Sequence, residues 1–354
     1  MISSWKYYAS RLITGMLVLV IVVFILSTSF TYYEYERRRV DVRNEIRTEL
    51  LLNSSVENKT YEERQEWREN KTRELRSRYG IEESFWELSV INTFNVFRGD
   101  LGRSRRLHTL ERPVSFDVLD IILEVFPNTV LLYGVSAAVY LVLGLLWGLK
   151  SAQKSDEKGG KFLSIISMFS SSIPMWWLGM LFLLVFAFGL DWFPGSAIPF
   201  PRASGLEYYL GVLHRMVLPI TTIVLTMFGA RAFTTRNLIN EVLTEDHIMA
   251  ARAKGTPEKK VVYGHAFRTA SPSLVSNAMR TFLLALPSLI ITEAIFGWPG
   301  IGTLYYQAVV EVGDMPVILG LTFFNAVIYI SVWLVSDIVS GFLDPRIKLG
   351  DNNQ

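Results

Sequence analysis

The chain has 354 residues, of which 50% are hydrophobic, 13% aromatic and only 19% charged, a balance that suits a bilayer far better than a water-soluble surface. Its 35 basic residues stand against 33 acidic ones for a net charge of +2, which excludes a nucleic-acid-coating chain and a disordered polyelectrolyte. No cysteine is present, so a disulfide framework, a thiolate metal site and a cysteine nucleophile are excluded too.

Crossing a hydrocarbon core of about 30 Å takes about 20 mostly apolar residues in a helix. The first such run is Leu12 to Phe30; it is longer than a signal-peptide core, so a retained span is expected even though Lys6 and Arg11 precede it. Next comes the charged region 31–115. From Glu34 to Leu52 and from Tyr61 to Tyr79 it is rich in glutamate and arginine with few helix breakers, which predicts two short helices around a polar turn. Mixed-sign charge of this kind suits a solvated hairpin laced with ion pairs, or a docking surface for an external partner. Asn-x-Ser/Thr triplets begin at Asn53, Asn58 and Asn70 and are candidate glycosylation acceptors.

Further apolar runs lie at about Thr129 to Leu149, Ile165 to Leu190, Met216 to Phe233, Pro272 to Ala294 and Val317 to Phe342. With the first they make six expected transmembrane helices, hence an all-α integral membrane protein with a helical insertion after the first span. Orientation follows from lysine: the segment 150–161 holds Lys150, Lys154, Lys158 and Lys161, whereas 297–316 holds no basic residue. Both termini, the 150–161 loop and the long 234–271 loop are therefore expected in the cytoplasm, and 31–115 outside. The chain divides into an N-terminal tail and first span (1–30), the extracellular helical region (31–115), a transmembrane core (116–342) and a cytoplasmic tail (343–354).

Signals for chemistry are sparse. No phosphate-cradling GxxxxGK[ST] loop, HExxH or GxSxG occurs, and His108, His214, His247 and His265 have no metal-ligand spacing. The chain is expected to be non-catalytic, with no bound metal and no nucleic-acid partner. Glu293 and Asp337 are the carboxylates inside predicted spans, each near a helix end; Glu293 reads as a structural anchor or a pathway residue. Pro174 and Pro287 free backbone carbonyls within spans, marking either bends beside a pathway or packing kinks. Gly144 and Gly148 form a GxxxG pattern for close helix packing.

The 234–271 loop is long enough to be more than a connector. It contains Glu245–Gly255 (EDHIMAARAKG), an alanine-rich helix former stopped by Gly255 and Pro257. This segment closely resembles the cytoplasmic coupling-helix motif of ABC importer permeases of the dipeptide/oligopeptide transport family, with Ala250, Ala251, Arg252, Ala253, Lys254 and Gly255 on the motif positions. Other matching pieces arrive in order: Arg98–Ser104 (RGDLGRS), Pro127–Thr129 (PNT), Ser172–Gly179 (SIPMWWLG), Asp191–Gly195 (DWFPG), Glu293–Gly302 (EAIFGWPGIG) and Leu343–Lys348 (LDPRIK). The resemblance covers residues 75 to 349 and the first span; the charged stretch 31–70 departs from it.

The resemblance implies a type I ABC importer permease, the first of two paired permeases. Its partners would be a second homologous permease, two cytoplasmic ATPases holding ATP and magnesium, and an extracellular substrate-binding protein, all around a chain that itself binds no cofactor. Residues 250–255 would couple ATPase closure to rocking of the spans. Short peptides are the implied cargo, with oligosaccharides, nickel chelates or glutathione as alternatives on the same machinery. A stand-alone secondary carrier is the rival class, disfavoured by the lack of repeats and midplane charges.

Overall fold

The computed structural model describes residues 2–52, 60–81, 84–108, 114–154, 158–198 and 205–343, with the side chains of 2–8, 282–289 and 340–343 outside the description. Among the described residues the regular structure is all helix. Contacts divide it into two compact units, residues 1–15 with 104–354, and residues 16–103.

The smaller unit begins within helix α1, Ile2–Leu52, 51 residues without a break. The predicted first span and the predicted helix Glu34–Leu52 are thus one continuous element. The physical reason is composition: the stretch holds no proline and a single glycine, Gly15, so nothing interrupts the backbone ladder where apolar sequence gives way to charged. Helix α2, Tyr61–Arg78, starts at a capping box in which Thr60 and Glu63 satisfy each other's backbone amides. It packs antiparallel to α1 around Val42, Ile46, Leu75 and Ile81. Arg38 donates to the Tyr79 carbonyl at 2.8 Å, and Lys71 pairs with Glu49 at 3.1 Å. Helix α3, Phe85–Phe97, lays Phe85 edge-on to Tyr32 and Tyr35 and donates from Asn92 to Thr31 at 2.9 Å.

The larger unit is built on helix α4, Val118–Gln153, and helix α7, Leu206–Leu243. The GxxxG pair sits where they meet. A Cβ on Gly144 would stand 2.6 Å from Arg231 Cγ, and one on Gly148 2.5 Å from Thr235 Cβ, so only glycine admits this approach. Helix α5, Lys158–Ser172, is followed by α6, Met175–Phe182, which continues as a π-helical turn, Leu183–Gly189. The two are bent by 88°. The run Ile165–Leu190, predicted as one straight span, is therefore a broken pair: Pro174 has no N–H to continue α5, and its carbonyl instead accepts the Trp177 and Leu178 amides that open α6.

After α7 come a short helix α8, Asp246–Ala253, a π-helical turn, Val261–Ala266, and α9, Phe267–Phe296. The chain closes with α10, Ile301–Tyr306, and α11, Met315–Leu343. The start of α1 belongs to this unit: Gly15 lies against Leu334, and Arg11 pairs with Asp337 at 3.7 Å. In the described residues α1, α4, α7 and α11 are long and apolar enough to cross a membrane, and the α5–α6 pair adds a fifth if it counts as one span. The remaining predicted run, Pro272–Ala294, falls in α9. Ile13, Leu17, Ile21 and Ile25, spaced by four along α1, are all more than a third exposed, a stripe suited to lipid.

Candidate functional site

Helix α8 is anchored through Ile248, with His247 in hydrogen-bond contact with Thr269 of α9 at 3.3 Å. Ile248 is fully buried in a cluster with Leu149 of α4, Ile239 of α7, Val261 and Val262 of the π-helical turn, and Leu274 of α9. One isoleucine thus ties α8 to a packed junction of three long helices. On the other face Met249, Ala250, Ala253 and Lys254 are exposed, and Ala251 is half-buried. A patch of small side chains around an exposed methionine permits close approach by another surface.

The end of α8 is shaped by Gly255. The Gly255 amide donates to the Arg252 carbonyl at 2.9 Å and the Thr256 amide to the Ala251 carbonyl at 3.2 Å, the paired bonds of a Schellman turn. That turn needs φ +79° at Gly255, a conformation L side chains rarely adopt, although no atom stands within 4 Å of where a Cβ would be. Backbone strain alone therefore selects glycine. Arg252 is drawn back to Glu258 by two bonds of 2.7 and 3.1 Å, which fasten the segment after the turn.

A second constellation surrounds Glu293, which is 1% exposed near the end of α9. Gly297 ends that helix at φ +58°, and the chain folds back so that the Gly302 amide donates to Glu293 Oε2 at 2.6 Å. Residues 127–129 of α4 complete the clasp. Ile301 donates to Thr129 Oγ1 at 2.8 Å, the Asn128 amide nitrogen to the Pro299 carbonyl at 2.8 Å, and the fully buried Trp298 indole to the Asn128 carbonyl at 2.9 Å. A Cβ on Gly300 would collide with both Glu293 oxygens and Thr129 Oγ1, so the glycine is what lets the loop close. The motifs PNT and EAIFGWPGIG, about 170 residues apart, are two halves of one lock.

Ser104, the last residue of RGDLGRS, is held in a similar way. Asp314 Oδ2 accepts from Ser104 Oγ at 2.8 Å and from the Arg105 and Arg106 amides, each at 3.1 Å. Asp314 drew no attention as a sequence feature, since a lone aspartate before an apolar run carries no pattern. Nor did Arg231, which is 5% exposed in α7 and donates to the Leu274 carbonyl at 2.9 Å. An arginine at the end of an apolar run was the available signal.

Pro174 stands at the α5–α6 break. Pro287 lies within α9, and its side chain is outside the description. Asn53 and Asn58 fall outside the described residues; Asn70 is exposed on α2. Among the described residues no group of three or more His, Asp or Glu is placed to hold a metal ion.

Comparison with known proteins identifies related sequences and folds. The sequence profile for "Binding-protein-dependent transport system inner membrane component" matches residues 141–349. The oligopeptide transport system permease protein of Bacillus subtilis is 31% identical over 260 residues, 72% of this chain and 78% of that one. The dipeptide transport system permease protein of Lactococcus lactis is 30% identical over 278 residues, 78% of this chain and 84% of that one. Among solved structures, a chain of the MetNI methionine ABC transporter in an inward-facing conformation superposes with a TM-score of 0.52 at 18% identity, covering 66% of this chain and all of that one, which is likeness of fold.

Proposed function

The chain belongs to the family of binding-protein-dependent transport system inner membrane components, and from that premise we propose that it is one of two paired permease subunits of an ATP-driven importer of short peptides. The peptide cargo rests on the relatives named for oligopeptide and dipeptide transport. In this reading six helical segments cross the membrane, with α5–α6 as one broken span and α9 as the remaining one. Both termini and α8 face the cytoplasm, and the α1–α2 hairpin lies outside, where Asn53, Asn58 and Asn70 would be open to glycosylation.

The observation that carries the mechanism is the seating of α8. Its exposed small-residue face is the surface an ATPase would grip. Ile248 transmits displacement into the junction of α4, α7 and α9, because a close-packed core moves as a body rather than deforming. ATP and magnesium belong to the two ATPase subunits, and this chain contributes the lever and part of the pathway. ATP-driven dimerisation shifts the complex between two global states only if nucleotide binds them unequally. Glu293 serves as a buried anchor for the loop after α9, and Pro174 as the hinge of a broken span.

Uptake of labelled di- and tripeptides into proteoliposomes holding both permeases, both ATPases and the binding protein tests this. Accumulation that requires ATP and every component is expected. Transport by this chain alone, without ATP, would overturn it. Mass spectrometry of the solute retained on gentle purification identifies the cargo; an oligosaccharide, nickel chelate or glutathione in place of a peptide would replace the cargo and leave the machinery.

A further inference from the structure

The α1–α2 hairpin has two unlike faces. On one, acids and bases answer each other: Arg78 and the Tyr79 hydroxyl meet Glu45 at 3.3 and 2.9 Å, and Lys71 lies between Glu49 and Glu74 at 3.1 and 3.4 Å. On the other, Arg39, Arg43 and Arg47 recur every fourth residue along α1, facing Arg68 and Arg76 of α2 across a cavity of about 580 Å³. The cavity is floored by apolar side chains, chiefly Val42, Ile46 and Ile81. Arg39 pairs with Glu36 at 2.7 Å. The guanidinium groups of Arg43, Arg47, Arg68 and Arg76 have no carboxylate partner among the described residues, and all four side chains are exposed.

Like charges at four-residue spacing destabilise a helix by a few tenths of a kcal/mol per pair, so this face is built at odds with the hairpin's own stability. Its dimensions select the occupant. The α1 row, from Arg39 to Arg47, extends about 12 Å along the axis, too long for one phosphate to bridge and suited to an extended segment bearing several carboxylates. Along the helix Arg39 and Arg47 stand about 13 and 25 Å beyond Phe30, where the apolar run ends, past a headgroup layer of about 5–8 Å. Lipid phosphates do not reach that far.

We propose that the arginine-lined face of the α1–α2 hairpin docks a carboxylate-rich segment of the substrate-binding protein, with an apolar side chain of that segment entering the slot over Ile46. This rests on the importer reading, which supplies the binding protein and puts the hairpin on its side of the membrane. Guanidinium forks bind carboxylates bidentately, and a single-sign patch raises the rate of encounter with a partner of opposite sign.

The test titrates the purified binding protein of the same transport system onto the assembled complex in zwitterionic nanodiscs. Arg43→Glu, Arg47→Glu, Arg68→Glu and Arg76→Glu combined are expected to lower the association rate at low salt ten- to a thousandfold, with most of the difference gone at 1 M salt. The same four positions changed to Lys keep most of the rate, and this set guards against a misfolded hairpin. A hexaglutamate peptide competes, whereas inorganic phosphate at equal ionic strength does not. An unchanged rate in the glutamate variant overturns the inference while leaving the importer intact. Equal competition by phosphate, or an arginine effect confined to nanodiscs of anionic lipid without binding protein, also overturns it. A cysteine placed at Glu66, unique in a chain without natural cysteines, reports sidedness: labelling from the cytoplasmic side alone would overturn the importer topology and the docking with it.

Discussion

Glu293 and Glu45 are both carboxylates held by more than one partner, yet they stand in opposite circumstances. Glu293 is buried and grips a backbone amide of its own folded-back loop at 2.6 Å. Glu45 is about a third exposed and accepts from an arginine and a tyrosine hydroxyl at the surface. Around Glu293 the partners are backbone and hydroxyl groups enclosed with it, so removing one leaves a desolvated polar group. In the hairpin each pair competes with solvent and salt, and exposed pairs contribute about 0–1 kcal/mol. Density of interaction is therefore a poor guide to consequence, and enclosure is a good one.

The contrast is broken most directly at Gly300. Gly300→Val forces a side chain into the space of the Glu293 carboxylate and Thr129 hydroxyl, and a loss of about 3 kcal/mol or more is expected. Thermal-shift and size-exclusion profiles of the solubilised complex read this directly; a protein as stable as the parent would mean the clasp is dispensable. Ile248→Ala comes next, at about 2–4 kcal/mol for the junction. Peptide uptake should fall with ATP hydrolysis retained, whereas tight coupling in this variant would dissociate the buried anchor from the lever.

Gly255→Val is expected to cost only about 1–2 kcal/mol, all of it backbone strain at φ +79°. Its effect on uptake should nonetheless be tenfold or more, because the surface proposed to meet the ATPase shifts; unchanged uptake would remove residues 250–255 from the coupling role. The smallest effect lies in the hairpin. Lys71→Ala should leave the thermal midpoint of the complex within measurement scatter near neutral pH. The Tyr79 hydroxyl and Lys71 ammonium are each held above their ordinary pKa values of 10.0 and 10.5, first by hydrogen bonds to Glu45 and Glu49 respectively. A raised pKa in the folded state means the contribution is complete below the ordinary value and lost as pH climbs past the raised one. Limited proteolysis of the hairpin should therefore quicken above about pH 10 to 11; acceleration on the acid side instead would contradict this.

Much of this was legible without coordinates, and particular residues say why. Apolar runs marked helices because lipid leaves backbone groups no partner but one another. The motifs around Ala250, Glu293 and Asn128 were visible as residue patterns, but not that the last two are one structure. Sequence left Glu293 between anchor and pathway because a carboxylate near a span end fits both; its contact with the Gly302 amide settles only where it sits. The unbroken α1 was missed because the change from apolar to charged residues looks like a boundary, although helical hydrogen bonds are indifferent to it.

By itself the chain determined its helices, its membrane character and its family, since each depends on local composition, periodicity and short motifs. Only the tertiary structure decided which partner each polar group takes. Ser104 meets Asp314 across more than 200 residues, Arg231 finds a carbonyl of α9, and Glu45 takes Arg78 and Tyr79 at the end of the second hairpin helix. Those pairings follow from packing in three dimensions, where an enclosed polar group must find whatever partner the fold brings within 3 Å or so, and no spacing along the chain encodes that distance.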